Sequence, residues 1–220
     1  MKNLFNLENP FFQFMSRVCD MIILNLLFII CCIPVVTIGA SLCALHQTMQ
    51  DILYEVETGY IKRFFHAFKI NFKQGTILWL VTLVVIASLG CDYIIITGYC
   101  TGVLATVLYV LLAVLAVLVV AVVGYMFPLI VRYNNTMRQH LYNAIILSII
   151  KLPKTIGIVA LIVLPFLLAV FALNTFVSTL VFWVIIGFSF EAFLASSLVK
   201  PIFRELEQAQ QGEGSVSIMK

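Results

Sequence analysis

Glu191 is the residue with the clearest potential for chemistry, because it is a carboxylate inside an apolar segment. It stands nine positions before Lys200 in the segment 177–199, which has no other charge. A carboxylate in lipid is costly and usually faces the interior of a helix bundle. Gly187 and Ala195 share its helical face, a small-residue surface that lets another helix approach. Glu191 either bonds to a neighbouring helix in its protonated form, faces a water-filled vestibule, or binds an ion, a proton or a substrate.

Other groups that could carry chemistry are scattered along the chain. There is no P-loop, GxSxG, HExxH or CxxC motif and no paired His/Asp set. Six cysteines lie mostly in apolar runs, where a thiol behaves as a small hydrophobe. Cys91 and Cys100 could still pair in an oxidising compartment. The sequence therefore predicts no enzyme, no metal site, no cofactor and no nucleic-acid partner.

Composition places the chain in a membrane. Of its 220 residues, 63% are hydrophobic and 10% are charged, against about half and about a quarter in soluble domains. A soluble fold of this size could not hide so much apolar surface. We therefore expect an all-α, polytopic membrane bundle of about five transmembrane helices with additional cytoplasmic interfacial helices.

Two long runs without charge set the positions of four spans. Residues 93–131 and 155–190 contain no Asp, Glu, Lys or Arg, and each run as one helix would exceed ~50 Å, against a hydrocarbon core of ~30 Å. Each run must therefore reverse, at 97–102 in the first and at 174–175 in the second. The predicted spans are 76–97, 103–131, 155–173 and 177–199.

The first apolar segment, 18–44, allows two interpretations. Pro34 and Gly39 lie inside it and mark a helix break. The favoured interpretation is a single span kinked at Pro34, with Thr37 and Ser41 bonding back to the backbone. The alternative is a re-entrant hairpin that turns at 34–39.

Basic residues predict the orientation. They cluster between the first and second spans, between the third and fourth, and after the fifth, whereas the two reversals carry none. The positive-inside rule then places these loops and the C-terminus in the cytoplasm. A kinked first span puts the N-terminus, with Lys2 and Arg17, outside; a hairpin puts it inside. We expect one domain over 1–204 and a disordered tail over 205–220.

An amphipathic segment, YIKRFFHAFKINFKQG, covers 60–75. Aromatic residues recur there every four positions opposite a basic face, a pattern typical of a helix in the membrane interface. The residues predicted to contact an anionic inner leaflet or a partner protein are Tyr60, Lys62, Arg63, Phe64, Phe68, Lys69, Phe72 and Lys73. The alternative is a helix that only supports the bundle. A second interfacial or elbow helix is predicted over 141–155, ending at Pro153.

Three stretches together resemble the YesL-like family of small bacterial multi-pass membrane proteins, a domain of unknown function. They are FFQFMSRVCDMIILNLLFIICCIPVVTIGAS (11–41), FFHAFKINFKQGTILWL (64–80) and NAIILSIIKLPKT (143–155). The resemblance implies a plasma-membrane protein of Gram-positive bacteria that accompanies carbohydrate-uptake systems and their sensors. It implies no site residues.

Two functions follow as expectations. The first is an accessory or scaffold component associated with carbohydrate uptake or its sensing, with a sugar importer or sensor as partner. The alternative is a small secondary transporter or channel that uses polar groups such as Glu191. A transporter usually shows broken helices at matching positions of two repeats. Here only Pro34 and Pro165 interrupt the spans conspicuously, and five spans do not divide into equal repeats, so the accessory role is preferred.

Overall fold

Seven α-helices build the part of the chain that the computed structural model describes, which is residues 10–56, 59–171 and 180–212. No strand occurs in these ranges, which confirms the predicted all-α class. A 3-10 turn, Val35–Thr37, follows the first helix, and a π-helical turn, Trp183–Gly187, precedes the last. The helices are α1 (Pro10–Cys31), α2 (Ile38–Leu53), α3 (Tyr60–Tyr99), α4 (Gly102–Arg132), α5 (Met137–Ile150), α6 (Leu152–Phe171) and α7 (Phe188–Gly212).

Four helical segments are long and apolar enough to cross a membrane, and α5 with α6 forms a bent fifth candidate. These four segments are Phe11–Cys31, Tyr60–Tyr99, Gly102–Arg132 and Leu180–Gln208. The predicted spans 76–97 and 103–131 lie inside α3 and α4, and the chain reverses between them within the predicted 97–102. The predicted reversal at 174–175 lies outside the described residues. By length and composition, the chain is a multi-pass membrane protein.

The first apolar segment is a hairpin and not one kinked span. Arg17 near the start of α1 forms an ion pair with Glu55 just after α2, with 3.1 Å between Nη2 and Oε1. Side chains of both helices share one buried cluster, to which α1 contributes Leu24 and α2 contributes Met49. The two helices therefore run antiparallel, and the favoured interpretation of 18–44 was wrong while its alternative was correct.

Local bonds explain why the chain turns at this point. Pro34 has no N–H to continue the helix, and the hydroxyl of Thr37 donates to the carbonyl of Cys31 at 2.6 Å. The indole N–H of Trp79 donates to the carbonyl of Val35 at 3.0 Å and ties the turn to α3. Gly39 is not a break, since it lies inside α2.

The hairpin ends well short of the far end of α3. Its turn lies beside Gly75, because a Cβ built on Gly39 would collide with the carbonyl oxygen of Gly75. From Gly75 to Tyr99, α3 rises a further ~36 Å. That distal part of α3 pairs with α4 and exposes apolar side chains such as Val84 and Ile94. A hairpin that stops this far below the end of its neighbour α3 has the shape expected of the re-entrant alternative.

The opposite end of the bundle gathers the charged groups, and we call it the charged end. The ring of Tyr54, after α2, lies between the guanidinium of Arg132 at 4.7 Å and the ammonium of Lys200 at 4.8 Å. Arg132 also pairs with Glu207, and Lys151 pairs with Glu205. Basic residues from the second and third of the clusters that the sequence assigned to one side thus lie at the same end of the bundle. Because α7 continues to Gly212, the predicted disorder from 205 begins too early.

Helix α5 is an elbow at 107° to α6. A capping box between Thr136 and Gln139 starts it. Its buried side carries polar residues such as His140 and Asn143, whereas its exposed side is apolar. This reversed polarity suits a helix whose outer side meets lipid. The elbow is therefore as predicted, but Pro153 does not end it: that proline lies in the first turn of α6, where its missing N–H costs nothing.

Candidate functional site

Asn25 of α1 organises the helix that carries Glu191. The Asn25 side chain is fully buried. Its amide nitrogen donates to the carbonyls of Trp183 at 3.1 Å and Val184 at 2.7 Å, and its oxygen accepts from the backbone N–H of Ser189 at 3.0 Å. A π turn leaves such backbone groups without their usual partners four residues away. Asn25 satisfies them, so one side chain stabilises the π turn and joins α1 to α7.

A cavity of about 570 Å³ lies beside this π turn, between the hairpin and helices α3, α4, α6 and α7. Its walls are almost entirely apolar, with the rings of Phe28, Trp79, Phe127, Trp183 and Phe188 prominent among the lining side chains. Two ionisable side chains, His46 and Glu191, also line it.

Glu191 is half-buried and has no hydrogen-bond or ion-pair partner within the described ranges. His46 of α2, which lines the same cavity, is buried, and its Nδ1 lies 3.5 Å from the hydroxyl of Ser196. A carboxylate among apolar walls needs a counter-charge or a proton. The site can therefore supply one negative charge in surroundings that screen it poorly.

The small-residue surface around Glu191 has a different use from the one predicted. Gly187 is covered by the indole of its own π turn, since a Cβ there would lie 2.5 Å from Cε3 of Trp183. Ala195 is buried and lines the cavity. The small residues on this face thus make room for an aromatic ring and for the cavity.

The amphipathic segment forms the first part of α3 and presents two unlike sides. Phe64 is completely buried in the cluster of the hairpin, and Tyr60 and Phe68 pack against that cluster. Phe64 therefore supports the bundle and does not meet lipid, whereas Tyr60 and Phe68 are only partly buried. Phe72 is exposed.

The basic side of α3 remains exposed. The outward residues of 61–73 are Ile61, Lys62, Phe65, His66, Lys69, Ile70, Phe72 and Lys73, and we call them the α3 basic face. Arg63 lies at its edge and pairs with Asp51 at 3.7 Å. Burial raises the pKa of the Asp51 carboxyl, while Gln47 and Arg63 act in the opposite direction.

Two pairings that the spacing of the residues would allow do not occur. Arg17 pairs with Glu55 rather than with Asp20, its neighbour one helical turn along. All six cysteines lie in the described ranges and are free thiols. Cys91 and Cys100 are separated by ~13 Å of helical rise, which is too far for a disulfide. Among the residues the structure describes, no group of three or more His, Cys, Asp or Glu could hold a metal ion.

Sequence reasoning missed that His46 and the two tryptophans line the same cavity as Glu191. His46 belongs to a polar stretch after the first apolar segment, and a kinked span would have left it in a loop. Had 34–39 been taken as the turn, α2 would have run back along the bundle and brought His46 toward the last span. The two tryptophans carried no signal, because apolar rings recur throughout the chain.

Comparison with known proteins gives one match. Residues 21–93 match a family described as a protein of unknown function, DUF624. No curated protein and no solved structure matches the chain. The matched range, about a third of the chain, holds Asn25, the hairpin turn, His46 and most of α3. From the middle of α1 through most of α3, the chain is thus similar to a family of unknown function, DUF624.

Proposed function

We propose that this protein is an accessory or scaffold component of the bacterial plasma membrane that serves carbohydrate uptake or its sensing. The observation that carries the proposal is the α3 basic face. Its centre holds Lys62, Lys69 and Lys73, with Phe65 and Phe72 along one flank. No described part of the chain covers these side chains. Exposed aromatic and basic residues in one patch are typical of surfaces that bind a protein partner or an anionic leaflet.

The cavity argues against direct transport of a sugar. A sugar carries hydroxyl groups over its whole surface, and each buried hydroxyl needs a hydrogen-bond partner. Among the described side chains that line the cavity, only His46, Glu191 and the indole N–H groups are polar, and the indole of Trp79 already donates to the carbonyl of Val35. A site so poor in partners would desolvate a sugar without compensation. An association with sugar uptake is therefore better explained by contact with another protein.

The test is to identify what contacts the α3 basic face in native membranes. A photo-crosslinking amino acid at Phe65 should capture a component of a sugar importer or its sensor. The same amino acid at Val84, an exposed lipid-side position of the same helix, is the matched control. Replacing Lys62, Lys69 and Lys73 by Gln should abolish the crosslink and slow uptake of the relevant sugar. Replacing Arg138 and Arg204 by Gln, both exposed elsewhere, should change neither. Crosslinks to lipid alone would contradict the proposal.

A second candidate, a small secondary transporter or channel, is favoured by the unpartnered carboxylate of Glu191 in the cavity. Purified protein in liposomes should then conduct a proton or another cation, and Glu191→Gln should abolish that flux without loss of folded protein. Flux that is equal in wild type, variant and empty liposomes would eliminate this candidate.

A further inference from the structure

We propose that the cavity beside the π turn binds a lipophilic monoamine, with its ammonium group at Glu191 and its apolar body among the aromatic rings. This inference goes beyond the accessory role and does not depend on it. It concerns binding at equilibrium, so it also holds or fails independently of any flux.

The charge of the ligand follows from Glu191. Its carboxylate lies at the cavity wall with no cationic partner within the described ranges. Two cations of the charged end have other partners: Lys200 donates to the carbonyl of Leu53 at 3.0 Å, and Arg132 forms an ion pair with Glu207. An ammonium group in the cavity would neutralise Glu191 and form a charge-assisted hydrogen bond.

The apolar part of the ligand follows from the walls. The rings of Phe28, Phe188 and Trp183 adjoin one another, with centroids 5.4 Å apart for the first two and 5.6 Å for the last two. Aromatic faces attract cations as well as apolar groups, especially where water is excluded. A volume of about 570 Å³ is in the range of sites for small organic molecules, roughly 300–1,000 Å³.

Other ligand classes fit less well. A metal ion would need several hard or nitrogen ligands, and the described lining of the cavity offers one carboxylate and one imidazole. An anion would be repelled by Glu191. An uncharged hydrocarbon chain would leave the Glu191 carboxylate without a partner. A monoamine with a hydrophobic body satisfies both the single charge and the apolar walls.

The chain contains its own reporters for this site. Its two tryptophans, Trp79 and Trp183, both line the cavity. A ligand with a heavy atom should therefore quench the intrinsic tryptophan fluorescence when it binds. The probe is 4-(4-bromophenyl)butylamine, and its neutral match is 4-(4-bromophenyl)butan-1-ol. The full-length protein would be titrated with each in phosphatidylcholine liposomes, with a soluble tryptophan analogue in the same liposomes correcting for partition.

We expect saturable quenching by the amine and an affinity for the alcohol at least about tenfold weaker, the loss that follows removal of one charge-assisted contact. Glu191→Gln should weaken amine binding by a similar factor and leave the alcohol unaffected. Glu205→Gln, at the charged end, is the matched control and should bind the amine as wild type does. Ala195→Leu, which reduces the cavity, should weaken binding of both probes.

Equal affinities of the wild type for amine and alcohol would overturn the proposal, as would an unchanged amine affinity in Glu191→Gln. Absence of saturable quenching by either probe would also overturn it. The comparison of two probes on the wild type needs no variant, so the proposal is tested even if Glu191→Gln does not fold.

Discussion

Gly39 and Gly75 bring the backbones of α2 and α3 into direct contact. A Cβ added to Gly75 would lie 2.8 Å from the Gly39 carbonyl oxygen and 2.9 Å from the Cys43 sulfur. Small residues at a helix crossing allow this approach, and in lipid the close packing is itself the main attraction between helices. The pair holds the re-entrant hairpin at a fixed height along α3.

We expect Gly75→Ala to destabilise the protein by about 1–3 kcal/mol, the usual cost of overpacking. Gly90→Ala, in the same helix but with open space around its Cβ position, should be neutral or more stable by up to ~1 kcal/mol. Thermal unfolding of both variants in the same detergent measures the difference. Equal midpoints for the two variants would show that the contact is looser than described.

Asn25→Ala should cost about 1–3 kcal/mol, because two carbonyls and one N–H of the π turn lose their partner. Asn25→Asp should be worse at neutral pH, since a carboxylate cannot donate to the carbonyls of Trp183 and Val184. The control is Asn71→Ala, whose amide bonds only within its own helix, to Ala67. Unfolding midpoints would rank the variants, and a small effect of Asn25→Asp would contradict the assigned bonds.

The hairpin makes a strong prediction about distance. Single cysteines at positions 17 and 55, in a background without the native cysteines, should be joined by a short bis-maleimide, because Arg17 and Glu55 form an ion pair. A single kinked span would place the two positions on opposite sides of the membrane. Cysteines at 17 and 99 serve as the negative control. Crosslinking is read as a mobility shift after cleavage between the two sites.

The charged end should face the cytoplasm, because basic loops are retained on that side. A reporter active only in the cytoplasm should give signal when fused after Lys220 and when fused before Met1. The second signal distinguishes the hairpin from a kinked span, which would place the N-terminus outside. Fusion at Thr101, in the turn between α3 and α4, should be silent. Activity at Thr101 alone would reverse the topology.

The sequence predicted those features that follow from contact with lipid, above all the positions of the membrane helices. The uncharged runs located α3 and α4, since their composition reports lipid directly. The hairpin was harder to predict, because a proline is compatible with either a kink or a turn. Two contacts decide between these alternatives: that of Gly39 with Gly75 and the ion pair of Arg17 with Glu55. Those contacts join residues 36 and 38 positions apart. The cavity depends on still longer-range packing, which brings His46 of α2 and Glu191 of α7 to one wall.

The elbow helix α5 has one further consequence. It lies across the direction of α6, with a polar inner side and an apolar outer side. A shift of the bundle along the membrane normal in one direction would expose Tyr142 and Ile149 to water. A shift in the other direction would bury the charges near Lys151 in hydrocarbon. Both displacements cost free energy. Helix α5 therefore sets how deeply the protein is immersed in the membrane.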